Sequence, residues 1–111
     1  MAIKIVVSDT VGFKVRGSIN DANGVPQPFD FKLTCLRLDS EQITAKLKGD
    51  QDASLADFLA DVVEDWSGVR DETDKPVPYS ADAMKQLCKI PGVANVAFRT
   101  YLAEVGAKEK N

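Results

Sequence analysis

The sequence predicts an α+β fold in which an N-terminal antiparallel sheet of two or three strands is followed by three or four α-helices. Apolar and polar residues alternate up to Asp39, and the apolar spacing then becomes helical. Strands that precede helices, instead of alternating with them, indicate α+β. We expect one domain over 1–111, with mainly strands in 1–39, mainly helices in 40–105 and a polar tail in 106–111.

Three runs carry the strand pattern. The first is IKIVV at 3–7, where Val6 interrupts the alternation. The second and third are GFKVRGSI and PFDFKLTCLRL, in which apolar side chains share one face. The turn formers of NDANGVPQP join these two runs into a hairpin. Leu36 and Leu38 then change phase, which indicates a bulge or the end of the strand.

Two helices follow the strands. The first is predicted over DSEQITAKLKG, with Asp39 or Ser40 as its cap. The second has the clearest apolar stripe, whose members lie at helical spacing: Leu55, Phe58, Leu59, Val62, Val63 and Trp66. Ser54 and Asp57 form a capping-box pattern at its start. Trp66 would be the last residue of the stripe.

Two more helices are predicted near the C-terminus. Ser80 would cap a helix over ADAMKQLCKI, and Pro91 must interrupt it because proline cannot donate to the preceding turn. A last helix would then run to about Ala103. The residues predicted to point inward are Met84, Leu87 and Cys88 on the first of these helices, and Ala94, Ala97, Phe98, Tyr101 and Leu102 on the second.

The charge pattern argues against a nucleic-acid or membrane partner. The chain has 14 Lys and Arg against 17 Asp and Glu, and its basic residues occur singly. Six acids and no base fall between positions 49 and 69, which predicts one acidic surface. The run at 3–7 is too short to be a signal peptide or a membrane span. We expect the protein to stay in the cytoplasm.

Catalytic and metal-binding patterns are missing from the sequence. There is no histidine, so Ser-His and Cys-His catalysis are excluded. The segment DETDK lacks the ligand order of a calcium loop. Glu64 and Asp65 are adjacent, and on a helix they would point about 100° apart. Cys35 and Cys88 fit two reduced, buried thiols, or otherwise a single disulfide. We expect a protein that is not an enzyme, with no catalytic residues, bound metal or cofactor.

A binding function therefore remains, and five residues are candidates for contact with a partner protein. Trp66, Val69 and Tyr79 flank the polar loop RDETDKPVPYS, where aromatic residues serve either as structural anchors or as binding hot spots. Phe98 and Tyr101 on the last helix complete the set. Most of the second helix's stripe is expected to form core instead: Leu55, Phe58, Leu59 and Val62.

From Leu55 onward the order of motifs resembles the tail assembly chaperones of long-tailed bacteriophages. A W-x-G-V element, an acidic turn, a V-P-[FY]-S step and an L-L/C-x-x-P-G-x-A helix pair occur here in that family's order over 55–105. The matching residues are Trp66, Gly68, Val69, Asp71, Glu72, Val77, Pro78, Tyr79, Ser80, Leu87, Pro91, Gly92 and Ala94. The upstream FDFKLTCLRLDSEQI is also similar, whereas the first 25 residues add little.

The resemblance implies a phage or prophage protein that binds the tape measure protein, keeps it soluble and assists assembly of the tail tube. It also implies contact with the tail tube protein, self-association, a place in the bacterial host cytoplasm and absence from the mature virion. The alternative is a structural tail or head–tail joining protein that stays in the virion.

Overall fold

The structure is a computed structural model that describes residues 2–3, 5, 8–49 and 54–108. Within these ranges it contains one sheet of three strands and four α-helices, which confirms the α+β prediction. In chain order the elements are β1 (Thr10–Asn20), β2 (Pro26–Leu36), α1 (Ser40–Gly49), α2 (Leu55–Val62), β3 (Val63–Ser67), α3 (Ala81–Leu87) and α4 (Val93–Val105).

Strands β1 and β2 form the predicted hairpin. They pair antiparallel from Thr10 opposite Leu36 to Asn20 opposite Pro26. Asp21 organises the turn, because its Oδ1 accepts hydrogen bonds from the backbone N–H groups of Asn23 and Val25. Asx turns of this kind favour aspartate at the first position. The far part of the hairpin, residues 18–28, is exposed on both faces, and we call it the hairpin arm.

In the part of the chain that the structure describes, helices cover one face of the sheet. Its strand order is β1-β2-β3, α4 packs against β1, and α2 packs against both α3 and α4. The two-residue period places alternate side chains of each strand in this layer. The buried residues are Val11, Phe13, Val15, Phe31, Leu33, Cys35, Phe58, Leu59, Val62, Val63, Trp66, Met84, Val93, Ala97 and Tyr101.

The prediction that the second helix reaches Trp66 is wrong, because the helix ends at Val62 and the chain continues as β3. Val63 pairs with Cys35 of β2, and Trp66 pairs with Leu33. The register shifts between them, so Glu64 is an extra residue on β3, as in a β-bulge. The bulge brings two residues three positions apart onto the same buried face, a spacing that resembles a helical stripe.

The same correction applies to Glu64 and Asp65, which lie on β3 and not on a helix. Asp65 pairs with Thr34, and its Oδ1 accepts a hydrogen bond from the N–H of Trp66. Both acidic side chains are exposed. The acidic residues of β3 are therefore in contact with solvent, whereas Val63 and Trp66 of the same strand are buried.

The predicted strand at 3–7 is not formed at the residues that can be assessed. Ile3 and Ile5 belong to no strand and are 90% and 101% exposed. Lys4, Val6 and Val7 lie outside the described residues. Alternation alone does not place a segment in a sheet, because a strand also needs a neighbouring strand to pair with.

The predicted helix caps are present. Asp39 caps α1 reciprocally with Gln42, through two hydrogen bonds of 2.8 and 2.9 Å. Ser54 and Asp57 form the capping box of α2, and the Ser80 hydroxyl accepts from the N–H of Ala83 at the start of α3. These contacts satisfy N–H groups that a helix start leaves without partners.

The last helix differs slightly from its prediction. α3 ends at Leu87 and α4 begins at Val93, so Pro91 lies in the turn between them. Leu102, which was predicted to point inward, is 37% exposed. Its neighbour Tyr101 takes the central buried position, and adjacent helix residues point about 100° apart.

Candidate protein-binding site

Trp66 holds the loop after β3 against the core. Its ring is buried, and its Nε1 donates a 2.7 Å hydrogen bond to the carbonyl of Val77. The ring of Tyr79 packs against it edge-on, with centroids 5.1 Å apart. A buried indole N–H needs an acceptor, and this one obtains it from the far side of the loop. Trp66 therefore fixes both ends of the loop.

The loop itself is a small hairpin built around Asp71. The Asp71 carboxylate accepts hydrogen bonds from the Thr73 hydroxyl and from the N–H groups of Thr73 and Lys75. These bonds, above all that from the Thr73 hydroxyl, lower the pKa of Asp71. Arg70 donates to the carbonyl of Asp74 at 3.0 Å. Much of the loop's polar surface is thus used in shaping the loop.

Gly68 makes the connection between β3 and the loop. Its φ is +85°, in the left-handed region that side chains disfavour. A Cβ there would lie 3.4 Å from the Cα of Phe31 on β2. This glycine lets the chain turn closely past β2, and it places Val69 beside the base of the hairpin arm.

An apolar groove of about 170 Å³ opens between the hairpin arm and the α3–α4 turn, and we call it the arm groove. Its apolar lining is Ile19, Phe29, Phe31, Val69, Leu87, Ile90 and Val93. Ile19 and Ile90 are 43% and 38% exposed. Asp30 and Arg70 also line it, one charge of each sign. Partly exposed apolar side chains with a few polar neighbours are typical of a protein-binding surface.

Phe29 lies over Gly17 at the base of the hairpin arm. The two residues are opposite each other, and a Cβ on Gly17 would come within 2.6 Å of the Phe29 ring. A glycine within a strand often marks such a close approach. Phe29 in turn stacks against Phe31, with centroids 6.1 Å apart. Contacts with the sheet therefore hold Phe29 in its place in the wall of the arm groove.

The five candidate residues occupy two clusters. Trp66, Val69 and Tyr79 lie together, and of these only Val69 lines the arm groove. Phe98 and Tyr101 belong to a second cluster around α2, in which the Phe98 ring lies 5.3 Å from that of Phe58. Phe98 is half-buried, whereas Tyr101 is fully buried.

The hydroxyls of the two tyrosines differ in their hydrogen bonding. The Tyr101 hydroxyl donates to the carbonyl of Leu36 at 2.8 Å and accepts from the N–H of Leu38 at 3.3 Å. The Tyr79 hydroxyl is buried without a hydrogen-bond partner among the described residues. Tyr101 therefore ties α4 to the end of β2, whereas the hydroxyl of Tyr79 makes no such tie.

A larger groove was missed by the sequence analysis. It has a volume of about 900 Å³ and lies between the end of β2, α1 and the C-terminal turn of α4, and we call it the terminal groove. Its lining includes Ser8, Asp9, Leu36, Arg37, Leu38, Ile43, Leu102 and Val105. The phase change at Leu36 and Leu38 was the one sequence feature that pointed to this groove, because both leucines line it.

The acidic segment between positions 49 and 69 is partly neutralised by its neighbours. Asp57 lies 3.6 Å from the Lys85 Nζ of α3, and Asp61 lies 3.7 Å from the Lys46 Nζ of α1. Hydrogen bonds from Ser54 and the charge of Lys85 lower the pKa of Asp57. Glu64 and Asp65 on β3 form no ion pair among the described residues.

Both cysteines are free thiols, Cys35 buried and Cys88 half-buried. Burial, with a smaller effect of the Glu64 charge, raises the pKa of Cys35 to about 12. Burial also raises the pKa of Cys88. In the described ranges no three His, Cys, Asp or Glu residues are placed to hold a metal ion. No helix in those ranges is long and apolar enough to cross a membrane.

These features define a small α+β protein with two grooves that are lined in part by apolar side chains. Residues 36–111 match the model of the YdaY prophage protein family, and the chain belongs to that family. The match includes all four helices and β3 and begins where the hairpin ends. No curated protein and no solved structure matches the chain significantly.

Proposed function

We propose that this prophage protein is a tail assembly chaperone. It binds the tape measure protein, keeps it soluble and assists assembly of the tail tube around it. Membership of a prophage family carries the proposal, together with the motif order over 55–105 that resembles the tail assembly chaperones. The same proposal makes it a non-enzymatic protein of the bacterial host cytoplasm that is absent from the mature virion.

The arm groove is the proposed contact with the client. Ile19, Val69 and Ile90 come from three different parts of the chain and leave apolar surface exposed there. A tape measure protein is long, largely helical and apolar before assembly, and an apolar helix face fits an apolar groove. Val69 also belongs to the W-x-G-V motif that supports the resemblance.

The acidic residues of β3 and the loop support a second part of the proposal. Glu64, Asp65 and Glu72 are exposed and form no ion pair among the described residues. Exposed negative charge attracts basic stretches of a client and keeps the complex soluble. It also disfavours nucleic acid as a partner.

Co-expression with the tape measure protein of the same prophage tests the function. We expect more of the client in the soluble fraction and a complex that copurifies. Ile90→Asp should weaken the complex, because it places a charge in the arm groove at a position already 38% exposed. Val25→Asp at the tip of the hairpin arm, 52% exposed, is the matched control and should leave the complex intact.

Two results would contradict the proposal. Unchanged client solubility with no copurifying complex would rule out a chaperone for this client. Recovery of the protein from purified virions by mass spectrometry would favour the alternative, a structural tail or head–tail joining protein. Size-exclusion chromatography with light scattering would test the self-association that the resemblance implies.

A further inference from the structure

We propose that the terminal groove binds the apolar side chains of Ile3 and Ile5, in the segment that precedes Ser8 of the same chain. In the structure described here Ile3 and Ile5 lie in solvent, so the proposal concerns a second, docked state of the same chain. The segment is MAIKIVV, in which apolar residues predominate. The groove would thus be a site for a short apolar segment, and its own chain would supply the first occupant.

The position of the segment makes docking possible without a change in the rest of the fold. Ser8 and Asp9 already line the terminal groove. The carbonyl of Asp9 accepts a 2.8 Å hydrogen bond from the N–H of Arg37, which fixes the point where the segment begins. Ile5 is three residues before Ser8, so its reach is about 10 Å, and that of Ile3 is about 17 Å.

The chemistry of the segment matches that of the groove. Ile3 and Ile5 have the largest exposed fractions among the large apolar residues that the structure describes. Leu36 and Leu102 present apolar surface inside the groove, each 37% exposed. Burying the isoleucines against these leucines removes both surfaces from water.

Arg37 fixes the wall of the terminal groove to the end of α4. Arg37 donates from Nη1 to the carbonyl of Val105 at 3.0 Å, but its Nε is buried with no acceptor among the described residues. The groove therefore has one wall that is held in place before any segment docks.

The other chain end that meets the groove is a poorer occupant. Ala107 lines the groove, but the residues that follow it are KEKN, which are charged or polar. The N-terminal segment of a second copy has the same chemistry as the chain's own segment. The experiments must therefore separate docking within one chain from docking between two.

The first experiment compares the full chain with the double variant Ile3→Asp, Ile5→Asp by methyl NMR. If the segment docks in the wild type, the methyl resonances of Leu102 and Val105 shift in the variant, because the aspartates keep the segment out of the apolar groove. Val25→Asp, at an exposed site on the hairpin arm, should leave these resonances unchanged. Identical Leu102 and Val105 resonances in the wild type and the double variant would overturn the proposal.

The second experiment joins the segment to the groove in the full chain. Ile5→Cys with Leu102→Cys, in a Cys88→Ala background, leaves the fully buried Cys35 as the other thiol. Mild oxidation should give a disulfide within one chain, detected as a monomer by non-reducing electrophoresis. Ile5→Cys with Asn23→Cys is the control, because the 11 residues of β1 place the tip of the arm roughly 35 Å away from the groove.

Each outcome decides the question. A disulfide within one chain for the Leu102→Cys pair, and none for the Asn23→Cys pair, supports docking of the chain's own segment. A disulfide between two chains would overturn it in favour of a second copy. No disulfide in either pair would show that the segment does not enter the groove.

Discussion

At the scale of single residues, three aromatic side chains contribute to the fold in different ways. The rings of Trp66 and Tyr101 are buried, and each uses its polar atom to bind the backbone of another segment. Tyr79 packs against Trp66, but its hydroxyl has no partner among the described residues. The structural contribution of each aromatic residue therefore depends on its polar atom as well as on its ring.

Replacement of Trp66 by alanine should lower the free energy of unfolding by about 3–5 kcal/mol, as for other large-to-small changes in a core. The reason is the loss of a ring that is only 8% exposed and of the hydrogen bond to Val77. Denaturant unfolding followed by circular dichroism measures the change. An unaltered midpoint would show that the ring does not contribute to the core.

Tyr101→Phe and Tyr79→Phe form a matched pair. The first should cost about 1–3 kcal/mol, because it leaves the Leu36 carbonyl and the Leu38 N–H without their partner. The second should leave stability unchanged or raise it, because it removes a buried hydroxyl that has no partner among the described residues. Equal costs for the two variants in urea unfolding would contradict the assigned hydrogen bonds.

At the scale of elements, α2 and β3 show why a continuous apolar pattern can contain two kinds of structure. The capping box starts α2 as the sequence predicts, but the stripe of apolar residues does not mark where the helix ends. The free edge of β2 takes Val63 and Trp66 into the sheet, and the bulge at Glu64 keeps both on the buried face. Pairing with a distant strand overrides the local helical spacing.

The capping box of α2 should contribute about 1 kcal/mol, which Ser54→Ala removes. Its Asp57 also makes the contribution depend on pH. The folded pKa of Asp57 lies below its ordinary value of 3.8. The stability that its ionised carboxylate adds is therefore present above pH 3.8 and is lost as the pH falls through the folded pKa. Melting temperatures of wild type and Asp57→Asn should therefore differ at pH 7 and converge in strong acid.

The sequence predicted those elements whose patterns depend only on local neighbours. Phe13 and Val15 on β1, and Phe31 to Cys35 on β2, alternate without interruption, and both strands form as predicted. β3 could not be recognised, because its register depends on β2 and its apolar spacing is helical. Of the candidate site residues, Val69 lines a groove, but neither groove could be predicted, since each joins segments far apart in the chain.

At the scale of the whole molecule, the sheet and the helices share one layer of buried side chains. Cys35 lies within it with no exposed surface, and burial raises the pKa of its thiol to about 12. Thiol reagents attack the thiolate, which the buried site disfavours, and they need access to the sulfur. The reactivity of Cys35 is therefore a measure of opening of the whole core.

In a Cys88→Ala variant, the labelling of Cys35 by an aromatic disulfide reagent at pH 8 should be slow. Its rate should rise with urea in parallel with the unfolded fraction, because labelling requires exposure of the core. The free Cys88, which is half-buried, should react faster in the wild type. Rapid labelling of Cys35 in the folded protein would show a local opening of β2 that the packing does not predict.

The position of β3 between α2 and α3 affects how the chain folds as it is synthesised. The hairpin of β1 and β2 closes through a turn of only five residues, 21–25, whereas β3 is made only after α1 and α2. A two-stranded hairpin is marginally stable in water by itself. Until residue 67 has left the ribosome, the apolar face of this hairpin lacks its third strand, and until residue 105 has followed it also lacks α4, the helix that packs against β1. The part of the chain that matches the prophage family thus shields the apolar hairpin made before it.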